Sequence, residues 1–553
     1  RVDDLRIFGD SYSERNYGGV TTWGTVLERQ GTVADLENYA IGGARAASGF
    51  ARAFEGQLDT WAGAGSPIGA GDLTAVYFGY NDLARDLAAA RAGYRAGSDR
   101  TLFVTLRTDW TRNPNNTSDF RSQVEDWNGF VSSIANRNDN IIAVDLFTVF
   151  EKIYDNPERF GFTNVSTADF DRSDTDALFS DGAHFGDRGQ EIIARVYRHY
   201  LTRAWDWANT INSGSGTARR LGRDIDNGLL VLGLDGTAAD RPLGLSTFAF
   251  GNAGSGAPRT VAFGERVDGR LGMTTGAAAA ASDPARLGFR EAYGQTAEAG
   301  GVALDLNLGA NRSGHAQRFG LAVSRYDDAS GSSDSATSLV REHSSDAVSL
   351  YWQQEAAAGL LATTQFSYLE HQFEDRSNDE ILGNSGVTEH SGRSWALDQK
   401  IARPTRIGSN TFVPWASLGY QLHELDPYEA ESLYTSDVSF SGANASDVLG
   451  ALGLDVRHEP IDLGGGRHLW LKAGASYLAS LYRDDVEVTM SEAALPGLSQ
   501  EQTIERDRIE RVDVSFDAVL GLNPDLNLRA AYAFTTDRVD HDQLVRFSLD
   551  YRF

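Results

Sequence analysis

The chain has 553 residues, too many for one compact core at the usual domain size of roughly 100–200 residues, so at least one domain boundary is expected. Its 77 acidic residues outweigh 50 basic ones, and the resulting formal charge of −27 repels phosphates and anionic surfaces, which excludes nucleic acid as a partner. Cysteine is absent, which removes disulfides, thiolate metal sites and cytosolic redox motifs.

No run approaches the roughly 18 consecutive apolar residues of a membrane-spanning helix. The nearest is Gly228-Leu-Leu-Val-Leu-Gly-Leu234, so membrane residence would require a barrel. The chain opens at Arg1-Val2-Asp3-Asp4 without a basic-then-apolar leader, and the expectation is that any secretory signal has been removed or was never part of this sequence.

Up to about residue 206, short β-type runs alternate with helical stretches. The runs are Leu5–Phe8, Asn38–Ile41, Thr74–Phe78, Thr101–Leu106 and Asn140–Leu146. Strands alternating with helices predict a parallel five-stranded sheet with helices on both faces, an α/β/α layering. A last helix from Gly186 to about Trp205 sets Ile192, Ile193, Val196, Tyr197 and Tyr200 on one face for packing against that sheet, while His199 on the same helix reads as solvated. Asn209-Thr-Ile-Asn-Ser-Gly-Ser-Gly216 reads as a linker, with a second helix expected around Thr217–Leu232.

Beyond this point the period changes to two. Val302, Leu304, Leu306 and Leu308 alternate with Ala303, Asp305 and Asn307; the last run sets Val545, Phe547, Leu549, Tyr551 and Phe553 against Arg546, Ser548, Asp550 and Arg552. Eleven such segments follow Gly301, at 301–310, 318–326, 346–353, 359–373, 392–402, 412–422, 446–456, 467–481, 509–522, 526–535 and 543–553, and a twelfth is expected within 243–276. Short connections such as Gln354–Gly359, Arg403–Asn410 and Asn523–Asp525 alternate with long polar ones: Asp327–Ser345, Glu374–Ser391, His423–Ala445 and Arg483–Arg508. That asymmetry predicts an antiparallel transmembrane β-barrel of twelve strands. A soluble sandwich or lipocalin-like barrel also alternates, but the strand number and terminal aromatics favour the membrane. The expected division is 1–208, an α/β domain; 209–242, a linker and helix in the barrel lumen; and 243–553, the barrel.

Four segments carry chemistry. Phe8-Gly9-Asp10-Ser11-Tyr12-Ser13 follows the first strand, placing Ser11 at the C-terminal sheet edge where α/β proteins build their sites. Phe179-Ser-Asp181-Gly-Ala-His184-Phe185 supplies a carboxylate and an imidazole three residues apart, able to lie together with Nε2 facing a serine. Asn38-Tyr-Ala-Ile-Gly42-Gly43-Ala44 and Phe78-Gly79-Tyr80-Asn81-Asp82 offer a backbone N–H and an amide for charge developing on an acyl oxygen. Each alone is an ordinary turn, cap or loop pair. Together, and in this order, they resemble the GDSL or SGNH hydrolases over about residues 5–203, and Asn156-Pro-Glu-Arg-Phe-Gly-Phe-Thr-Asn164 looks like a stretch of the lipase branch.

The resemblance implies Ser11 as nucleophile, His184 as base and then acid, Asp181 as its orienting partner, and an oxyanion hole of Ser11 N–H, Gly43 N–H and Asn81. It implies an outer-membrane autotransporter esterase acting on acyl-ester or lipid substrates. The hydrolase is expected at the cell surface, the barrel in contact with outer-membrane lipids and, during biogenesis, with the assembly machinery, and the chain as a monomer. No cofactor or metal is expected: His468, His541 and the other histidines lack ligand spacing, and Ser332–Asp334 and Arg483-Asp484-Asp485 read as solvated loop. Tyr12 stands where the family often has leucine and Phe185 where proline usually follows, so both are expected to tune acyl preference; with Tyr17 and Trp23 they suggest an apolar surface near Ser11, although such aromatics are more often plain core. The competing reading is an adhesive passenger whose hydrolase fold no longer turns over.

Overall fold

The structure is a computed structural model, and it describes residues 2–49, 52–65, 72–82, 102–137, 141–171, 174–233, 243–252, 259–262, 270–271, 274–275, 290–310, 315–333, 337–356, 359–379, 384–432, 436–495, 499–506, 508–523, 525–537 and 541–552. Phe553, Asp334, residues 234–242 and much of 253–276 lie outside them, as do the side chains of Arg220, Arg223 and His541.

Five strands, β1 (Val2–Gly9), β2 (Val33–Asn38), β3 (Leu73–Tyr77), β4 (Leu102–Leu106) and β5 (Ile141–Asp145), pair in the order β2-β1-β3-β4-β5 with every neighbour parallel. Helices α1 (Trp23–Arg29), α2 (Phe54–Ala64), α3 (Arg121–Ala135) and α4 (Leu146–Asp155) cover it. One apolar core gathers Leu5, Ile7, Trp23, Val144 and Phe185; the other gathers Phe8, Phe54, Val76, Trp127 and Ala143. Adjacent residues of β1 thus serve opposite faces, as the pleat requires.

The second strand was expected at Asn38–Ile41 and lies instead at Val33–Asn38. Its Asp35 and Glu37 disguise it, because an edge strand tolerates charge: Glu37 Oε2 accepts from the buried Arg6 Nε at 2.8 Å, and Asp72 Oδ2 from Arg6 Nη1 at 2.9 Å.

The last helix is the largest departure. α5 runs unbroken from Asp187 to Gly233, 47 residues, so the linker expected at Asn209–Gly216 is helical and the two expected helices are one. Its first turns present Ile192, Ile193, Val196, Tyr197 and Tyr200 to the sheet, fully buried, with Trp23 stacked on Tyr197 at 4.1 Å. His199, expected in solvent, is half-buried beside Tyr200. At the small residues the helix meets the barrel wall. A Cβ on Gly214 would stand 3.2 Å from His371 Nε2, and Ser215 Oγ donates to Asp447 Oδ2 at 2.9 Å. Ala218, Leu221 and Ile225 pack against Ala322, Tyr326 and Leu369. Glycine and serine read as breakers in water, but here they permit close approach and tertiary packing holds the helix.

The remaining long strands pair antiparallel in chain order: Leu243–Asn252, Arg290–Ala310, Ala316–Ser333, Thr337–Ala356, Leu360–Asp379, Asn384–Ala402, Asn410–Leu425, Ala443–His458, Arg467–Arg483, Glu510–Asn523, Leu526–Asp537 and His541–Arg552. Leu243–Asn252 pairs with both Arg290–Ala310 and His541–Arg552, so the sheet returns on itself. Its polarity is inside out. Val302, Leu350, Phe366, Leu418, Leu452 and Phe516 are exposed, while Ser349, Gln365, Ser367, Gln421, Lys472 and Asp517 are buried. A soluble sandwich or lipocalin has the opposite arrangement. Among the described residues no helix is long and apolar enough to cross a membrane, which says nothing of a β-barrel.

Two connections expected as long polar loops are ladder. Pairing continues to Ser333↔Ser338 and to Asp379↔Asn384, past the point where the apolar face ends. Here polar groups fill the inner side: Arg341 makes a two-pronged contact with Asp375, and Ser394 joins His371 to His423 by 2.8 and 2.7 Å contacts. The other two connections fold into a second sheet of Tyr428–Ala430, Val438–Phe440, Val486–Glu492 and Ser499–Arg506. Arg483 and Asp484, expected in solvated loop, bind Asp447 and Ser446.

α5 orients the molecule. Near its start Arg195 Nη1 reaches Asp379 Oδ2 at 3.1 Å, both buried, and Tyr200 Oη donates to Glu492 Oε2 at 2.9 Å; both partners belong to the long-hairpin end. The strand after the helix begins at the other end, where Leu243 pairs with Leu306 and Gly244 with Arg552, beside the short turns. At 1.5 Å per residue the helix spans about 70 Å, ample for a bilayer core of about 30 Å. The α/β unit therefore sits at the long-hairpin end, and the helix continues from it along the buried polar face of the strands.

Candidate active site

β1 ends at Gly9, where a Cβ would stand 2.9 Å from Tyr77 O, so only glycine lets the chain leave the sheet beside β3. The Gln57 side chain holds the turn from both sides, accepting from Gly9 N at 3.0 Å and donating to Gly9 O at 2.8 Å. Asp10, fully buried, accepts from Tyr12 N at 3.1 Å and faces Arg107 Nη1 at 3.6 Å. Burial pushes its carboxyl upward against the opposing pull of Arg107. Ser11 is left at the sheet edge, 8% exposed.

The segment after β7 (Ala177–Phe179), which is paired with β6 (Asn164–Ala168), brings the distant pair to this edge. His184 Nε2 lies 2.8 Å from Ser11 Oγ, and His184 Nδ1 lies 2.8 and 3.0 Å from the two Asp181 oxygens. Asp181 Oδ1 also accepts the N–H groups of Ala183 and His184, each at 2.7 Å. Burial alone would raise the Asp181 pKa, but the hydrogen bond to His184 and the two backbone N–H groups outweigh it and hold the carboxyl down at about 2. Serine, imidazole and carboxylate form one hydrogen-bonded line.

Gly43 takes a left-handed φ of +75°, and a Cβ there would meet Arg52 Nη1 alone, at 3.7 Å. Asn81 Nδ2 donates to Ala44 O at 2.8 Å, and Asp82 accepts from Ala46 N and Ala47 N, so the two loops are tied into one ridge. Gly79, at φ +122°, lies against Trp127 and Arg107, where a Cβ would clash at 2.8 Å. Among the described residues the N–H groups of Ser11 and Gly43 have no protein acceptor. All the residues singled out by sequence, Ser11, Gly43, Asn81, Asp181 and His184, are therefore on loops at one sheet edge.

The aromatic expectations fare differently. Tyr12, Trp23 and Phe185 are buried: Tyr12 stacks on Tyr80 at 3.9 Å, Phe185 on Phe150 at 4.5 Å, and Trp23 Nε1 donates to Ser13 Oγ. They shape the core beneath the site rather than an acyl surface. Half-buried Tyr17 lies beside the imidazole, at 4.7 Å between rings, and the buried Tyr12 ring lies 5.5 Å from it. Sequence reading also passed over Gln57, Arg107 and Asn113. None stands in a motif, and each acts through a long-range contact that spacing does not reveal.

Residues 5–196 match the GDSL-like lipase/acylhydrolase family model, and residues 290–533 match the autotransporter β-domain model. No curated protein matches the chain. Among solved structures, the translocator domain of the autotransporter NalP from Neisseria meningitidis is similar over 62% of this chain and 98% of its own, at 14% identity and TM-score 0.41. The β-domain of the Bordetella autotransporter BrkA covers 56% of this chain and 100% of its own, at 15% and 0.37. A protein from Lactobacillus plantarum covers 36% and 97%, at 16% and 0.25. On the two family matches, residues 5–196 carry a GDSL-like lipase/acylhydrolase domain and residues 290–533 an autotransporter β-domain, the arrangement of an outer-membrane protein with a surface passenger.

Proposed function

We propose that the hydrolase cleaves carboxylic acyl esters through an acyl-serine intermediate. Ser11 Oγ attacks the ester carbonyl as His184 Nε2 takes its proton. The oxyanion of the tetrahedral intermediate accepts the N–H groups of Ser11 and Gly43 and a proton of Asn81 Nδ2. His184 returns the proton to the departing alcohol, then draws one from water, whose oxygen attacks the acyl carbon and releases the acid and Ser11. Asp181 stays ionised throughout, fixing Nδ1–H and stabilising the imidazolium. The reaction calls for no cofactor and no metal.

The observation that carries this reading is the line from Ser11 Oγ through His184 to Asp181, with 2.8 Å at each contact. A passenger that had lost turnover would have no need to keep it. The rest of the assignment follows the same architecture: the hydrolase over 1–208, a connecting segment with the lumen helix over 209–242, and a transmembrane barrel of twelve strands over 243–553, a monomer facing outer-membrane lipids.

The test is hydrolysis of p-nitrophenyl esters of increasing acyl length by the purified full chain and by Ser11→Ala. Turnover on at least part of the series is expected from the unmodified chain and none from Ser11→Ala, whose missing hydroxyl has no substitute. Turnover by Ser11→Ala near that of the parent would remove Ser11 from the mechanism.

A further inference from the structure

The two sides of the reacting hydrogen bond come from segments far apart in sequence, and a buried polar cluster holds them together. Tyr12 directly follows Ser11, and Ala183 directly precedes His184. The Tyr12 phenol, fully buried, donates to the Ala183 carbonyl. Asn113 Nδ2 donates to the same carbonyl at 3.0 Å and to the phenol oxygen at 3.1 Å, closing a three-membered cluster. Asn115 N adds a bond to Gly182 O at 2.9 Å, one residue further back.

Resting on the acyl-serine reading above, we propose that Tyr12 and Asn113 are positioning residues that set the distance between Ser11 and His184. The phenol is a strut one residue removed from each reacting atom's own residue, so a shift of the Ala183 carbonyl moves the imidazole against the serine. Its ring cannot drift, being stacked on Tyr80 and set edge-on to Phe185. Burial also pushes the phenol well above its ordinary pKa, so it stays a donor at any working pH. A leucine at this position would fill the space but could not hold the carbonyl. The tyrosine thus replaces packing by a directional bond, and Asn113, on the segment after β4, provides its second point of attachment. Both act through the backbone that carries the imidazole.

Such a role separates kcat from KM. Tyr12→Phe keeps the ring and its stacking and leaves Asn113 to satisfy the carbonyl, so the fold is expected to stand with a melting temperature close to the parent's. On a p-nitrophenyl ester in the full chain, kcat is expected to fall about 10-fold to 10²-fold with KM little changed, the upper figure being what a misplacement near 1 Å costs. The second-order rate of Ser11 labelling by a fluorophosphonate should fall in parallel, since it needs the same base. Asn113→Leu, close to isosteric, should act in the same direction, and the double variant should lose less than the product of the two, because both groups hold one carbonyl. Unchanged kcat and unchanged labelling in Tyr12→Phe, with Ser11→Ala inactive, would overturn the strut and leave the esterase standing. A parent chain without any Ser11-dependent turnover would overturn both.

Discussion

The hydrolase and the barrel solve opposite problems with the same residues. In the hydrolase, Ile7, Val76 and Val144 are fully buried and charge is turned outward or paired; in the barrel, Leu350, Phe366 and Phe516 are exposed and Lys472, Asp517 and Arg529 are buried and paired. Water surrounds the first and hydrocarbon the second, so the apolar face follows the solvent in each. Helix α5 joins the two regimes. Its first turns dock on the sheet like any soluble amphipathic helix, and its glycine and serine turns lie against the polar inner wall of the barrel. A segment that would be a linker in water becomes a rigid shaft when walled in by strands.

The contrast is open to attack from both sides, and the largest effect is expected in the hydrolase. Asn81→Ala removes one of the proposed oxyanion donors and should lower kcat by about 10²–10³, about 2.7–4 kcal/mol in the barrier, with a smaller change in KM. Steady-state kinetics check this, and a raised KM at constant kcat would make Asn81 a substrate-positioning group. In the barrel, Leu350→Arg puts a charge on the lipid face and should cost about 2–4 kcal/mol of stability if the site lies near the bilayer midplane. Unfolding in lipid vesicles reads it. A negligible cost would mean that this face meets water and that the inside-out reading fails.

The third test concerns a buried carboxyl at the junction. Asp145 caps α4, accepting from Thr148 N at 2.9 Å, while its own N–H donates to Tyr200 Oη, which in turn reaches Glu492 on the barrel side. Burial raises its pKa from 3.8 to about 6, against the Thr148 hydrogen bonds. The folded state therefore keeps a proton that the unfolded chain releases. The stability this carboxyl contributes is full below about pH 4 and declines as pH rises through about 6, by up to about 3 kcal/mol. Asp145→Asn keeps a capping oxygen and should flatten that window in a pH series of denaturation curves. Asp181 behaves in the opposite sense: with its carboxyl held at about 2, it stays ionised down to that range, so a loss of activity setting in well above it belongs to another group.

How far these regions could be read in advance also differs. The segments that meet at the sheet edge were legible because Gly-Asp-Ser, the glycine block, Gly-x-Asn-Asp and Asp-x-x-His are local signals, each a few residues long. Eleven barrel segments were legible from their period of two, since a lipid-facing ladder cannot relax its alternation. What escaped was set by tertiary context. The edge strand Val33–Asn38 carries charges that only Arg6, on the neighbouring strand, explains. The ladders beyond Tyr326 and Phe373 lie past the end of the apolar belt, where pairing persists without a hydrophobic face. Asn209–Gly216 is helical because His371 and Asp447 meet it, and no local rule foresees a wall. Tyr12 and Phe185 stand out as departures from the family pattern, and of the two readings open to them, acyl surface or plain core, their burial fits the core.

One measurement tests nucleophile, location and attachment together: treatment of intact cells with a membrane-impermeant biotinylated fluorophosphonate, followed by detection of the biotin on the separated protein. The account expects label on the full-length chain in intact cells, located to Ser11 by peptide mapping and absent from Ser11→Ala. Label that appears only after the outer membrane is broken, or that persists in Ser11→Ala, would contradict it.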